Sequence, residues 1–309
     1  MSTLIYSHPA CFEHRPGPGH PESPERLKAV LAALQKPEFS ELQWAEAPLG
    51  TREQVLMVHS EGYVSDVEEI SPRHGTMPLD GGDTVMSPGS MEAVMRCVGA
   101  ACAGVDKVMS KEVDNVFCAT RPCGHHATPN RAMGFCIYNQ AAIAAVYAKE
   151  RHMLERVAVI DFDVHHGNGT QDAFYNDPGL FYGSTHQSPL YPGTGSRAET
   201  GVSGNIVNVP LPPGCTSEVF RSQVTSELLP KLRAFNPELL IISAGFDAHM
   251  LDPLAGLNFK DEDYRWITEE LLQVAEECCE GRVVSILEGG YSLDGLASST
   301  AAHVRALMS

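Results

Sequence analysis

The sequence predicts an α/β fold, a single domain over residues 1–309 in which a mostly parallel sheet is covered by helices on both faces. Short apolar runs alternate with longer amphipathic ones along the whole chain, and polar, glycine-containing motifs directly follow four of the apolar runs. The 309 residues suffice for one large domain or two modest ones, and 43% hydrophobic content supports a substantial core. No internal repeat, low-complexity tract or long linker divides the chain.

In chain order, short apolar runs read as buried strands over Leu4–Ser7, Asn115–Ala119, Arg156–Phe162, Asn205–Val209, Leu239–Ser243 and Val283–Leu287. The longer amphipathic stretches read as helices over Pro24–Ala33, Gly89–Met109, Gln140–Lys149, Ser217–Phe235, Asp261–Cys279 and Leu293–Met308. Asp261 is the expected N-cap of its helix, and Asp261 and Asp263 suit the positive end of the helix dipole. Glycine- and proline-rich stretches at Arg15–Pro24, Pro78–Ser90 and Leu190–Pro213 read as long surface loops, which in a compact domain are often functional.

The unusual residues cluster after strands. Arg121-Pro122-Cys123-Gly124-His125-His126 follows the second strand, and Asp161-Phe162-Asp163-Val164-His165-His166-Gly167-Asn168-Gly169 follows the third. Ser243-Ala244-Gly245-Phe246-Asp247 and Glu288-Gly289-Gly290-Tyr291 follow the last two. Ligands of open α/β sheets bind at the carboxyl edge, so four motifs converging there outweigh any one of them. If extended geometry continues past Asp161, then Asp161, Asp163 and His165 share one side of the strand. A carboxylate and an imidazole two residues apart make half of a divalent metal site, and unpaired charge buried there would be very costly.

Composition excludes several classes. With 22 basic against 39 acidic residues the net charge is −17, the wrong sign for a nonspecific nucleic-acid binder; such a field favours cationic substrates. No apolar run approaches the roughly 20 residues of a membrane span. The N-terminus Met1-Ser2-Thr3-Leu4-Ile5-Tyr6-Ser7-His8 lacks the basic and apolar regions of a secretory signal, and a cytoplasmic location is the expectation. Nine cysteines, an odd number without a C-x-x-C framework, agree with a reducing compartment, and Cys278-Cys279 read as buried helix thiols.

The motifs make a specific resemblance. His20-Pro21-Glu22-Ser23-Pro24-Glu25-Arg26-Leu27, Arg121 to Ala127, Gly134-Phe135-Cys136, Asp161 to Gly169, Tyr191-Pro192-Gly193-Thr194-Gly195, Ser243 to Asp247, Asp252-Pro253-Leu254 and Glu288 to Tyr291 stand in family order over nearly the whole chain. The chain resembles the zinc-dependent histone deacetylase family of the arginase/deacetylase superfamily, in its class II-like and bacterial branch, which also holds acetylpolyamine amidohydrolases. The resemblance implies a central sheet of about eight strands and removal of an acetyl or short acyl group from a lysine-type amine.

The same resemblance implies residue roles. Zn2+, with Fe2+ an alternative, would be held by Asp163, His165 and Asp252. Spacing alone does not separate Asp252 from its rivals Asp247 and His249. His126 would act as the general base and His125 support it, with Asp161 behind His125 and Asn168 behind His126. Asn168 stands where class I relatives carry Asp. Tyr291 would donate a hydrogen bond to the developing oxyanion, with Gly289 and Gly290 allowing the turn that places it. Phe135 and Tyr191 would line a narrow tunnel, the Gly134 carbonyl would accept the substrate amide N–H, and Asp83, with Asp80 nearby, is the choice for a rim carboxylate. A structural K+ would sit among Asp161, Asp163, His165, Ser184 and Thr185, and Arg26 is expected inside the fold beneath the site. The partner implied is an acetylated lysine peptide or protein, or an acetylated polyamine. Leu254 stands where polyamine-specialised class II relatives carry Glu. No nucleic acid or membrane is expected, and a homo-oligomer is left open. The competing classes are an arginase-like ureohydrolase with two Mn2+, which needs more bridging carboxylates, and a silent acyl-lysine reader, which would have lost part of this residue set.

Overall fold

The computed structural model describes all 309 residues. Ten strands form: β1 Thr3–Ser7, β2 Gln43–Glu46, β3 Met77–Pro78, β4 Val85–Met86, β5 Asn115–Cys118, β6 Val157–Asp161, β7 Leu180–Gln187, β8 Ile206–Leu211, β9 Leu239–Ala244 and β10 Val283–Leu287. Eight of them make one sheet in the order β2-β1-β5-β10-β9-β6-β7-β8, every neighbouring pair parallel. β3 and β4 pair separately as an antiparallel hairpin.

Parity along each strand explains the two-faced core. In β9, Leu240 and Ile242 face one hydrophobic cluster while Leu239 and Ile241 face the other. In β6, Ala158 and Ile160 divide from Val157 and Val159 in the same way. One face is covered by the helices Pro24–Leu34, Ser217–Gln223, Leu229–Phe235, Asp261–Cys279 and Leu293–Leu307, which contribute Leu27, Phe220, Leu232, Leu271 and Val304. The other is covered by Ser90–Met109 and Gln140–His152, whose contacts are small (Ala100, Ala101, Ala141, Ala144, Ala145) and bring those helices close to the sheet.

The structure adds the helices Arg52–Leu56, Glu61–Ile70 and Asn168–Phe174 and the β3–β4 hairpin to those the sequence reading gives, and it departs from that reading elsewhere too. β2 escapes the apolar-run pattern because Gln43-Trp44-Ala45-Glu46 has a polar residue at each end and is exposed along its length; it is an edge strand held by β1 alone. β7 escapes it because Ser184, Thr185, His186 and Gln187 are polar, yet all are buried between β6 and β8. The helix expected over Ser217–Phe235 is interrupted by a π-helical turn at Val224–Leu228, just before Pro230. Proline supplies no amide hydrogen and its ring crowds the preceding turn, which the wider π turn accommodates. Asp261 is the first helical residue rather than the N-cap; Lys260 caps, and Asp263 Oδ2 accepts the Lys260 N–H at 2.9 Å.

Beneath the sheet's carboxyl edge lies a buried ion network. Glu22 Oε1 accepts from Arg121 Nε at 2.8 Å and Arg26 Nη1 at 3.0 Å; its other oxygen meets Arg121 Nη2 and lies 3.3 Å from His14 Nε2. Arg26 and Arg121 also donate to the backbone carbonyls of Gly290, Cys11 and His14, tying the N-terminal segment to the turn after β10. Burial works to raise the Glu22 carboxyl, but the Arg121 charge and the His14 contact outweigh it and hold it well below the ordinary value. A carboxyl depressed in the folded state stabilises the fold above its unfolded value near 4.5, and that stabilisation is lost as pH falls from there toward the folded value. Glu22→Gln keeps the shape and leaves two buried guanidinium groups without their counter-charge. A loss of about 3–5 kcal/mol in urea unfolding at neutral pH is expected; a change under about 1 kcal/mol, typical of a surface pair, would refute it.

Candidate active site

The four strands that precede the polar motifs are neighbours in the sheet, in the order β5-β10-β9-β6. Their carboxyl ends therefore deliver the four motifs to one place at the middle of the sheet edge, as open parallel sheets generally do.

β6 ends at Asp161, so extended geometry does not carry Asp163 and His165 to one side. Two successive side-chain turns do it instead. Asp161 Oδ1 accepts the Asp163 N–H at 3.1 Å, and Asp163 Oδ1 accepts the His165 N–H at 2.9 Å. His165 Nδ1 then lies 3.1 Å from both Asp163 Oδ1 and Asp247 Oδ2. Asp163, His165 and Asp247 bring their ligand atoms within 4.8 Å of one another. Asp252 stands beside this group with its own carboxylate tied down: Oδ2 accepts the Tyr291 and Ser292 N–H groups at 2.7 and 3.1 Å, and Oδ1 accepts from Leu254 at 3.0 Å.

The charge balance of this cage calls for a cation. Burial, and next the Asp163 charge, push the Asp247 carboxyl up to about 7; burial also raises Asp252. Burial would lower His165, but hydrogen bonds to Asp163 and Asp247 overcome it and push it up to about 10. Three buried carboxylates around one imidazole are the hard-oxygen and nitrogen donor set of a divalent metal. For K+, Ser184 lies opposite Asp161 in the β6–β7 register, and the Thr185 hydroxyl is buried without a hydrogen-bond partner, as an oxygen reserved for a cation would be.

The two histidines after β5 are held apart in role. His125 Nδ1 pairs with Asp161 Oδ2 at 2.9 Å; burial works against its charged form, but Asp161 and Asp163 hold it well above the ordinary histidine value. His126 Nδ1 pairs with Asn168 Oδ1 at 2.9 Å, while burial and the facing His125 and His165 push it well below that value. The two rings, 4.1 Å apart, are thus pushed in opposite directions. Their backbone is fixed by Glu288, whose Oε2 accepts the N–H groups of Gly124 and His125 at 2.7 and 3.2 Å.

A cavity of ≈ 250 Å³ opens over these groups, lined by Asp83, His126, Gly134, Phe135, His165, Leu190, Tyr191, Leu254 and Tyr291. Phe135 meets Tyr291 edge-on at 5.8 Å, and Tyr191 meets His126 edge-on at 5.1 Å, which gives the cavity aromatic walls. Asp83 faces it, whereas Asp80 is occupied by Thr84 and by the Gly134 N–H at 3.2 Å. Arg26 is buried beneath, its guanidinium 4.9 Å from the Tyr291 ring centre.

Two glycines of the site are closely packed. Gly289 does not line the cavity; its N–H donates to Asp163 Oδ2 at 2.8 Å, and a Cβ there would lie 2.2 Å from Asp247 Oδ2. The Gly134 carbonyl faces the thiols of Cys136 and Cys123, at 3.3 and 3.9 Å, which would compete with a substrate amide for it. Gly134 itself has φ +56°, and a Cβ would lie 2.4 Å from His126 Cδ2. Gly134→Ala is expected to cost about 1–3 kcal/mol of stability in urea unfolding and to lower kcat/KM by displacing His126; an unchanged midpoint and rate would show that the ring yields freely.

Sequence reading gives no site role to His20, which packs edge-on against Phe135 at 4.8 Å, or to Leu190 in the cavity wall. It also misses Tyr182, whose hydroxyl donates to Asp161 Oδ2 at 3.0 Å, and Glu288 as the His-loop anchor. Tyr182 and Leu190 carry no signal, since they lie in and after β7, the strand that the apolar-run pattern does not reach. Glu288 stands in the motif after β10, so its place was legible in the sequence while its anchoring role was not.

An all-parallel sheet with an acid–imidazole cage and a histidine pair at its carboxyl edge, under an aromatic cavity, defines the class of α/β amidohydrolases. Comparison with known proteins narrows this. The histone deacetylase domain model matches residues 20–307, and the chain belongs to the histone deacetylase family. It is 38% identical to histone deacetylase 14, chloroplastic, of Arabidopsis thaliana, over 99% of this chain and 76% of that one. It is also 38% identical to the histone deacetylase-like amidohydrolase of Pseudomonas aeruginosa, over 89% and 73%. The crystal structure of the HDA15 HD domain superposes with a TM-score of 0.93 at 33% identity, covering 99% of this chain and 88% of that one. No helix is long and apolar enough to cross a membrane.

Proposed function

We propose that this protein removes acetyl or another short acyl group from the side-chain amine of lysine in a peptide or protein. The observation that carries the reading is the aromatic cavity of ≈ 250 Å³ that ends on His126, His165 and Tyr291. A methylene stem fits between Phe135 and Tyr191, and the amide then lies against the polar floor. The residues that would hold Zn2+, or Fe2+, are Asp163, His165 and Asp252, with Asp247 bracing His165. When bound, the metal supplies Lewis acidity, polarising the substrate carbonyl and making water nucleophilic. Oxygen atoms of Asp161, Asp163 and Ser184, the Thr185 hydroxyl and the His165 backbone would hold K+.

The remaining work falls to the chain. His126 directs Nδ1–H at Asn168, which leaves Nε2 free to take a proton from the attacking water. Its burial between two imidazoles keeps it neutral and ready. His125, kept charged by Asp161, fixes its partner and offers a proton for the leaving amine. The Tyr291 hydroxyl donates to the oxygen that gains negative charge. Asp83 at the rim would accept backbone N–H groups of a peptide substrate.

An acetylated polyamine is the second reading, favoured by the net charge of −17. Leu254 in the cavity wall weighs against it, because an apolar side chain gives a distal ammonium nothing to pair with. Side-by-side hydrolysis of an acetyl-lysine peptide and of acetylated putrescine, cadaverine and spermidine decides between them. Turnover confined to the peptide is expected. Turnover confined to the polyamines would move the function to small-molecule metabolism, and no turnover of either would sink the acetyl-amide reading.

A further inference from the structure

All nine cysteines are free thiols. Two of them stand out by where they meet. Cys123 Sγ and Cys136 Sγ lie 3.4 Å apart, both almost wholly buried, with the Gly134 carbonyl against both sulfurs. Cys123 is two residues before His125, on the turn that carries the histidine pair. Cys136 comes directly after Phe135, on the turn that forms the cavity wall. Both Gly134 and Phe135 hold positive φ, at +56° and +69°, so this turn has little conformational slack. The reaction described above uses neither thiol.

We propose that Cys123 and Cys136 are a redox modification site: a low-molecular-weight peroxide converts them to a disulfide that distorts the cavity and switches the enzyme off. The chemistry balances in two steps. One thiol attacks the peroxide O–O bond, giving a sulfenic acid and releasing water from hydrogen peroxide. The second thiol then displaces hydroxide from that sulfur, which leaves as water with the thiol proton. Two thiols are oxidised by two electrons, and one peroxide is reduced to two waters. The Glu288 carboxylate, within 4.8 Å of both sulfurs, is placed to take the thiol proton.

Hydrogen peroxide is little larger than water, and Gly134 and Phe135 in the cavity wall directly precede Cys136, so in this scheme it approaches the pair from the cavity side. The sulfurs must then close by about 1.3 Å to reach bonding distance. That draws the His125–His126 turn and the Gly134–Phe135 turn together. Misplacement of catalytic groups by about 1 Å costs on the order of 100-fold in rate. The bond itself does not depend on the proposed reaction; only its effect on turnover rests on that reading.

The test titrates the zinc-loaded full chain with hydrogen peroxide and reads intact mass, a peptide map and acetyl-lysine peptide turnover on the same samples. Expected are the loss of two hydrogens, a cross-link mapping to Cys123–Cys136, a fall in turnover of at least about tenfold, and recovery with dithiothreitol. Cys123→Ala and Cys136→Ala proteins should each keep their own starting activity through the same treatment. A cross-link mapping to Cys11–Cys97, irreversible sulfinic acid without a cross-link, or equal inactivation of the alanine variants would overturn the proposal. So would a second equivalent of zinc that is lost in Cys123→Ala, since the two thiols would then be metal ligands. If no acetyl amide is turned over at all, the functional reading fails while mass and map still decide the disulfide.

Discussion

Tyr291→Phe is expected to lower kcat on an acetyl-lysine peptide by about 10²–10³-fold with KM nearly unchanged, the signature of a hydrogen bond made mainly in the transition state. The geometry isolates that one atom well. The Tyr291 backbone is held by Asp252 Oδ2 at 2.7 Å, and its ring is held by Arg26 below and Phe135 alongside. Phenylalanine keeps all of these contacts and removes only the hydroxyl facing the cavity. Burial pushes the phenol's titration well above its ordinary value, so the group is a donor throughout the working range. Retention of more than half of the wild-type kcat would remove Tyr291 from the chemistry and turn attention to His125 as the oxyanion donor.

The second large effect separates two carboxylates. Asp252→Asn is expected to abolish stoichiometric zinc binding, whereas Asp247→Asn weakens it by about 10–100-fold, the usual cost of losing a group that orients a ligand. Asp247 is fully buried with both oxygens engaged, Oδ1 by the Val164 N–H at 2.8 Å and Oδ2 by His165. Asp252 lies nearer the cavity, between Leu254 and Tyr291, and a catalytic metal needs its open position on that side. The structure nonetheless draws Asp247, and not Asp252, into the tightest cluster with Asp163 and His165. Metal content after gel filtration, with competition against a chromophoric chelator, reads both variants directly. The reverse order of losses would make Asp247 the third ligand.

Much of this site is legible in the linear chain because of how a parallel sheet is built. β5, β6, β9 and β10 are buried on both faces, so each reads as a short apolar run, and the residue that ends the run marks the sheet's carboxyl edge. Polar motifs placed there are conspicuous. The strands that escape reading are the ones this rule does not describe. β2 is exposed at the edge, and the buried polar half of β7 takes partners outside the strand, such as the Gly256 N–H, which donates to Gln187 Oε1 at 2.7 Å across 69 residues of sequence.

By itself, then, the sequence determined the α/β class, the four central strands, the histidine pair and the Asp163–His165 half of the cage. All of these rest on local patterning: the point where an apolar run ends and the polar residues immediately beyond it. The tertiary structure alone decided that β5, β10, β9 and β6 lie side by side, which makes four motifs into one site. It decided that side-chain turns rather than strand geometry bring Asp163 and His165 together, that Asp247 joins them, and that Glu288 anchors the histidine loop. It also set two cysteines thirteen residues apart into contact. Each of these depends on which segments pack together. That choice is set by burial of both sheet faces and by pairing of buried charge over the whole chain, and no local window contains it.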